Sequence, residues 1–279
     1  MIFLEKFLLP SENRRVYPFR ILYSKMLEIV SFAPVTIFYG SNGSGKSTLL
    51  NVIAEKIELR YKTIRNSSLY FNEFVEKCTF ETATRNEKPL KIPFNSRLIR
   101  SEDIMESIVN LRKETVKAEN KIVNLQNLIA TDSEDGVKYK LMGEKEMKPA
   151  MENLNKISEQ SSNGESAMHF FENIFEPDTL YLLDEPENSL SPQLQIALKE
   201  LIEKKVYLFG CQFIIATHSP LLLSISNATV YNLDRCPTTI CNWFELENVR
   251  VFYDFFIKNR ELFEKEDNKK ISFRKRKNI

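Results

Sequence analysis

Nine residues, Gly40-Ser41-Asn42-Gly43-Ser44-Gly45-Lys46-Ser47-Thr48, match the spacing G-x-x-x-x-G-K-[ST] and follow the apolar run Pro34 to Tyr39. The order reads as strand, phosphate loop, helix. Glycines let the backbone curl until successive N–H groups point inward, and the helix opening near Lys46 turns its positive end to the same spot. A polyphosphate suits that cradle, with Lys46 reaching its β- and γ-phosphates and the Ser47 hydroxyl taking one position on Mg²⁺. Two further apolar runs end in polar groups. Thr179 to Leu183 leads into Asp184-Glu185, and Gln212 to Thr217 leads into His218. Two acids at the end of a buried strand are costly unless a cation is near. Asp184 is therefore expected to order the metal shell and Glu185 to polarise water. His218 stands at a strand end beside both motifs and is assigned to chemistry; His169, placed on an apolar face, is assigned to structure.

The elements that must position these groups are a mixed α/β set. Continuous apolar runs predict strands buried on both faces. Leu49, Leu50, Val52, Ile53 and Ile57 have helical spacing and predict a helix behind the loop. Arg14 to Ile21 alternates and predicts an antiparallel edge strand, with Tyr17 and Phe19 suited either to stack on adenine or to fill the sheet. Leu98 to Asp103 reads as a short strand running into charge. Ile104, Ile108, Leu111, Thr115, Ala118, Ile122, Leu125 and Ile129 follow the 4-3 spacing of a coiled-coil seam. With one strand of the coil in evidence, a long surface helix is expected there in preference to an arm. Residues 131–147 read as an exposed loop, and 159–166 as a polar turn before an apolar helix at Met168 to Phe175. Thr229 to Leu233 and Ile240 to Leu246 read as edge strands, and Val249 to Ile257 as a helix.

With 279 residues, 43% of them apolar, one elaborated domain is expected over 1–279, with a helical insertion at about 104–160. Lysine plus arginine (39) nearly cancel aspartate plus glutamate (38), so nucleic-acid contact would rest on local patches. The most local is a basic C-terminal tail, about 265–279. Four cysteines lack zinc-site spacing and read as reduced thiols of a cytoplasmic protein. No run is long enough for a membrane span, and the first residues do not read as an export signal.

Phosphate loop, Ser162-Asn163-Gly164-Glu165, Leu180 to Glu185 and His218 stand in the order found in ABC-type ATPases. More narrowly, the chain resembles small stand-alone bacterial ATPases of the AAA type, relatives of the SMC, DNA-repair and OLD-type ATPases. Tyr17-Pro18-Phe19, Arg100-Ser101-Glu102, Glu159-Gln160-Ser161, Asp184-Glu185-Pro186-Glu187, Leu190-Ser191-Pro192 and Thr217-His218-Ser219-Pro220 carry that likeness. It implies a P-loop fold of ABC-ATPase type with a mixed central sheet flanked by helices. It also implies ATP hydrolysis with Mg²⁺ in a homodimer, where Ser162 and Gly164 cap ATP held by the other copy and residues 188–191 join the two sites. The chain departs from that pattern in three places. Asn163 replaces a glycine, a change ascribed to asparagine's tolerance of left-handed backbone; Ser191 replaces an aspartate; and Glu102 is the one candidate where a phosphate-sensing glutamine would stand. The leading expectation is an ATP-driven switch read by DNA or a partner effector, in DNA repair or anti-phage defence. The alternatives are the nucleotide-binding subunit of a transporter and a module that clamps ATP with little turnover.

Overall fold

The computed structural model describes residues 1–60, 68–110, 113, 116, 117, 120 and 163–265. In chain order the elements are β1 (Leu4–Leu8), α1 (Phe19–Tyr23), β2 (Ile29–Ser31), β3 (Val35–Tyr39), α2 (Lys46–Lys56), α3 (Leu69–Lys77) and β4 (Thr79–Thr82). A small hairpin, β5 (Thr84–Arg85) and β6 (Lys88–Pro89), precedes β7 (Arg97–Arg100) and helix α4 (101–110). Then come α5 (Asn163–Ile174), β8 (Leu180–Asp184), α6 (Pro192–Phe209), β9 (Gln212–Ala216), α7 (Pro220–Leu223), β10 (Thr229–Asn232), β11 (Thr239–Cys241) and α8 (Glu247–Lys258).

Six strands form the central sheet in the order β11-β10-β3-β9-β8-β7, parallel except for the antiparallel edge β11. Every residue of β3, β8 and β9 is buried, which explains their unbroken apolar runs: both faces are covered. Alternate side chains enter two cores. Phe38, Leu180, Leu182 and Ile214 join α2, α3 and β1 on one face. Ile37, Tyr181, Leu183, Phe213 and Ile215 join α5, α6 and α7 on the other. A three-stranded antiparallel sheet, β2-β1-β4, lies with the first core.

Several expectations are corrected. Arg14 to Ile21 is not a strand: Pro18 leads into α1, whose buried Phe19 and Leu22 share one helical face three residues apart. Phe19 meets Phe74 edge-on at 4.8 Å, and Tyr17 stacks on Phe71 at 6.1 Å. β10 is interior, between β3 and β11, because β11 takes the edge. Strand ends at Cys241, and a 3-10 turn follows at Trp243–Glu245. The helix expected from Met168 begins earlier, at Asn163. It turns His169 outward, where its Nδ1 lies 3.3 Å from Glu172. Of the proposed coil seam, Ile104 and Ile108 are buried in the second core, while 111, 115, 118, 122, 125 and 129 lie outside the described residues, as do the loop at 131–147 and residues 266–279 of the tail.

Among the described residues, two side chains join the two sheets: Tyr231 of β10, whose hydroxyl accepts from the Ser31 N–H and donates to the Ser31 carbonyl at 2.9 Å each, and Gln212 of β9. Gln212, fully buried, accepts from the backbone N–H groups of Phe3 (2.8 Å) and Leu4 (3.0 Å) and donates to the carbonyls of Leu4 (2.8 Å) and Ala33 (3.2 Å). Gln212→Leu keeps the apolar volume and strands those four backbone groups. It is expected to cost about 3 kcal/mol, read as a lower urea midpoint with little change in slope; a midpoint equal to wild type would show the amide to be dispensable.

Candidate functional site

Strand register sets the site. Arg100, Asp184, Ala216, Phe38 and Tyr231 stand side by side across five neighbouring strands. Just past this row the parallel strands release Gly40, Glu185, His218 and Asp234 together, the edge where ligands bind in open α/β sheets.

At the first exit the phosphate loop curls into α2. Gly45, with φ 101°, opens that helix in left-handed backbone, and an added Cβ would lie 2.8 Å from Ile21 Cγ2. Lys46 is buried, its Nζ donating to the carbonyls of Gly40 (2.8 Å) and Ser41 (3.3 Å). Ser44 Oγ is buried without a hydrogen-bond partner. A cavity of about 310 Å³ opens over the loop, lined by Ile21, residues 42–48 and Glu185.

Asp184 ends β8 almost fully buried, and its Oδ1 accepts from Ser47 Oγ at 2.9 Å. Burial pushes its carboxyl up to about 6; the Ser47 bond opposes this, Glu185 adds to it, and Arg100 counters. A hydroxyl and a buried carboxylate at the mouth of an anion cradle fit a divalent cation with hard oxygen ligands. Ser47 and Asp184 are thus the residues able to hold Mg²⁺.

Glu185 takes left-handed backbone (φ 48°, ψ 53°), a conformation that costs about 1 kcal/mol for a side chain of this kind. Its N–H donates to the Ala216 carbonyl at 2.9 Å. Its carboxylate lies 3.6 Å from Lys46 Nζ and 3.9 Å from His218 Nδ1, and accepts from Asn188 Nδ2 at 3.1 Å. Lys46, Glu185 and His218 therefore meet at one mouth. His218 is held by its backbone: its N–H donates to Glu187 Oε1 (3.1 Å), and its carbonyl accepts from Asn248 Nδ2 (2.7 Å). Glu187 is buried and also accepts from Thr217 Oγ1 at 2.6 Å.

Asp234 was not anticipated from sequence. Both its carboxylate oxygens accept from the Ser41 N–H, at 2.9 and 2.8 Å, and Oδ1 also accepts from Ser41 Oγ. It therefore pins the start of the loop. Its signal was its place two residues past an apolar strand, the same place that drew attention to His218.

Gly164 is buried in the first turn of α5, and Ser162 lies outside the described residues. Asn163 opens a right-handed helix, so left-handed tolerance is not what admits it there. Ser191 caps α6, accepting from the Leu194 N–H. Glu102 is exposed, with Ser101 Oγ 3.5 Å away.

The sequence model of the ABC transporter family matches residues 30–188, more than half of the chain. The chain belongs to the ABC family of ATPases. Like other members it binds ATP and hydrolyses it. A model for an AAA domain, described with the AbiEii toxin and the Type IV TA system, matches residues 159–224, a span that contains Gly164, Glu185 and His218. No curated protein sequence matches. Among solved structures, the chain is similar to the Smc head domain of Pyrococcus furiosus with an extended coiled coil, bound to the C-terminal domain of ScpA. That likeness has 15% identity, covers 91% of this chain and 100% of the other, and has a TM-score of 0.47. The SMC head domain of Thermotoga maritima follows with 15% identity, 86% and 99% coverage and a TM-score of 0.45. A dimeric ATP-binding cassette in a post-hydrolysis state bound to ADP and Pi has 14% identity, 86% and 98% coverage and a TM-score of 0.38. All three scores fall below 0.5; family match and sheet order carry the fold assignment.

The raised pKa of Asp184 has a signed consequence. Folding favours its neutral form, so its contribution to stability is fullest at low pH and is lost as pH rises through about 6. Asp184→Asn mimics the neutral form and can keep the Ser47 bond. The ligand-free variant is expected to be more stable than wild type at pH 8 by about 2–3 kcal/mol, with the difference vanishing near pH 4. Paired urea titrations at the two pH values check this; a variant less stable at pH 8 would contradict it.

Proposed function

We propose that two copies of the chain close around two ATP molecules, and that the closed and open states are read by DNA or a partner effector. The observation that carries this reading is the placement of α5. Its apolar side chains lie in the core on the sheet face opposite α2, and no residue of it lines the cavity over the phosphate loop. Asn163 and Gly164, at the start of this helix, are thus badly placed to cap ATP in their own chain and are free to cap that of another. In a closed pair the loop N–H groups and Lys46 hold the β- and γ-phosphates, while Ser162 and Gly164 of the other copy cover the γ-phosphate. Ser47 and Asp184 would hold Mg²⁺, which would supply charge neutralisation at the phosphate oxygens. Glu185 orients the attacking water and takes up its proton as the bond from γ-phosphorus to the β–γ bridging oxygen breaks, leaving ADP and phosphate. His218, fixed by Glu187 and Asn248, donates to the transferred group.

The family's description favours a second reading, a transporter's nucleotide-binding subunit. The AAA-domain match over 159–224 supports the switch instead. No helix among the described residues is long and apolar enough to cross a membrane. The four cysteines are free thiols, which supports a reducing, cytoplasmic setting.

Glu185→Gln is expected to bind ATP but hydrolyse it at least about 10²-fold more slowly. It should accumulate as a dimer on sizing columns run with ATP and Mg²⁺; normal turnover would remove Glu185 from the mechanism.

Chains carrying Ser162→Arg or Lys46→Ala should each be inactive, and mixing them should restore activity. Half of randomly paired dimers are mixed and each has one intact site of two, so recovery approaches about a quarter of wild type. No recovery, with subunit exchange shown separately, would place Ser162 in the site of its own chain.

A further inference from the structure

After buried Leu246 the chain enters α8, whose one buried residue is Val249. The rest of its apolar side chains face solvent. Val251, Phe252, Phe255 and Phe256 lie on one side of α8, and a further helical turn at 260–265 adds Leu262 and Phe263, with Phe256 and Phe263 in ring contact at 5.9 Å. Each of these six is at least half exposed. Monomers seldom leave such a contiguous face in water.

Charge narrows what could cover it. Residues 247–265 hold four acids (Glu247, Asp254, Glu261, Glu264) and four bases (Arg250, Lys258, Arg260, Lys265). Most of them pair within the helix, as Arg250–Asp254 (3.8 Å), Arg260–Glu264 (2.6 Å) and Glu261–Lys265 (3.7 Å). A membrane-surface helix would present a basic polar face, and a nucleic-acid contact an unpaired basic patch. The helix face itself is neutral and internally paired and meets its own copy without like-charge repulsion; the basic residues of 266–279 follow it in sequence. Area agrees: large apolar groups bury roughly 150–250 Å² each when covered. Six of them, half exposed, with Tyr253 and Ile257 at the flank, offer about 800 Å², the share of one partner in a stable interface.

We propose that the apolar face of 247–265 pairs with the same face of a second copy, without nucleotide. The helix is firmly seated for this. Leu246 and Val249 are buried beside its first turn, and Asn248 donates from Nδ2 to the His218 carbonyl at 2.7 Å. Pairing does not depend on the ATP-sandwich reading; only its role, keeping two chains together while the ATP sites open, rests on it.

The test uses the full chain without nucleotide in sedimentation equilibrium. Wild type is expected to dimerise. Phe252→Glu with Phe256→Glu, and the same pair of positions changed to Lys, should each weaken dimerisation at least about tenfold, with urea midpoints unchanged at protein concentrations low enough to keep wild type monomeric, because both side chains are exposed in the single chain. Mixing the acidic and basic variants should restore dimers. A wild type that stays monomeric at the highest soluble concentration overturns the proposal, as do variants that dimerise like wild type. Wild-type binding to anionic phosphatidylserine vesicles that the variants lose would assign the face to membrane and overturn it too. ATP-dependent dimerisation of Glu185→Gln chains carrying the Phe252 and Phe256 changes is expected to persist, so the ATP-sandwich reading can fail or stand separately.

Discussion

Asp184 sits almost out of reach of water at the end of a strand buried on both sides, and its hydrogen bond from Ser47 spans the intervening strand β9. That contact joins the end of β8 to the start of α2 and fixes where the phosphate loop stands relative to the acids. Holding a carboxylate there is unfavourable until a cation arrives, and Glu185 beside it increases the cost. The sheet tolerates it because Leu180 to Leu183 are fully buried and drive the strand into place regardless of what its last residue prefers. Stability is thus spent at the mouth of the site, and the nucleotide with its metal has something to gain by binding.

The central strands were legible because burial on both faces demands unbroken apolar runs, and a polar residue ending such a run stands out. That logic found Asp184, Glu185 and His218. It misread Arg14 to Ile21, where alternation imitates a strand: Phe19 and Leu22 are actually buried through helical spacing. The three-stranded sheet was missed because β1, β2 and β4 have at most five residues each, with ordinary mixed composition.

Partners of lone polar side chains were the least legible. Glu187, Asp234 and Asn248 acquire their meaning only when chain closure brings them to His218 or Ser41 from 30 or more residues away. No local pattern encodes such distances. Gln212 is an exception of a kind: a glutamine opening an otherwise apolar strand was visible, and its two backbone clients, β1 and the approach to β3, were not.

Asn248 donates to the carbonyl of His218, so the first turn of the aromatic helix is tied by a hydrogen bond to the strand end that faces Glu185. A shift of His218 on phosphate binding would reach the first turn of the aromatic helix through this bond, and a shift of the helix would reach His218. Thermodynamic linkage makes the coupling reciprocal: whatever factor ATP applies to an association at that helix, the association applies to ATP affinity. On the proposed pairing, chain concentration in the cell would then become an input to the nucleotide site, alongside the ratio of ATP to ADP.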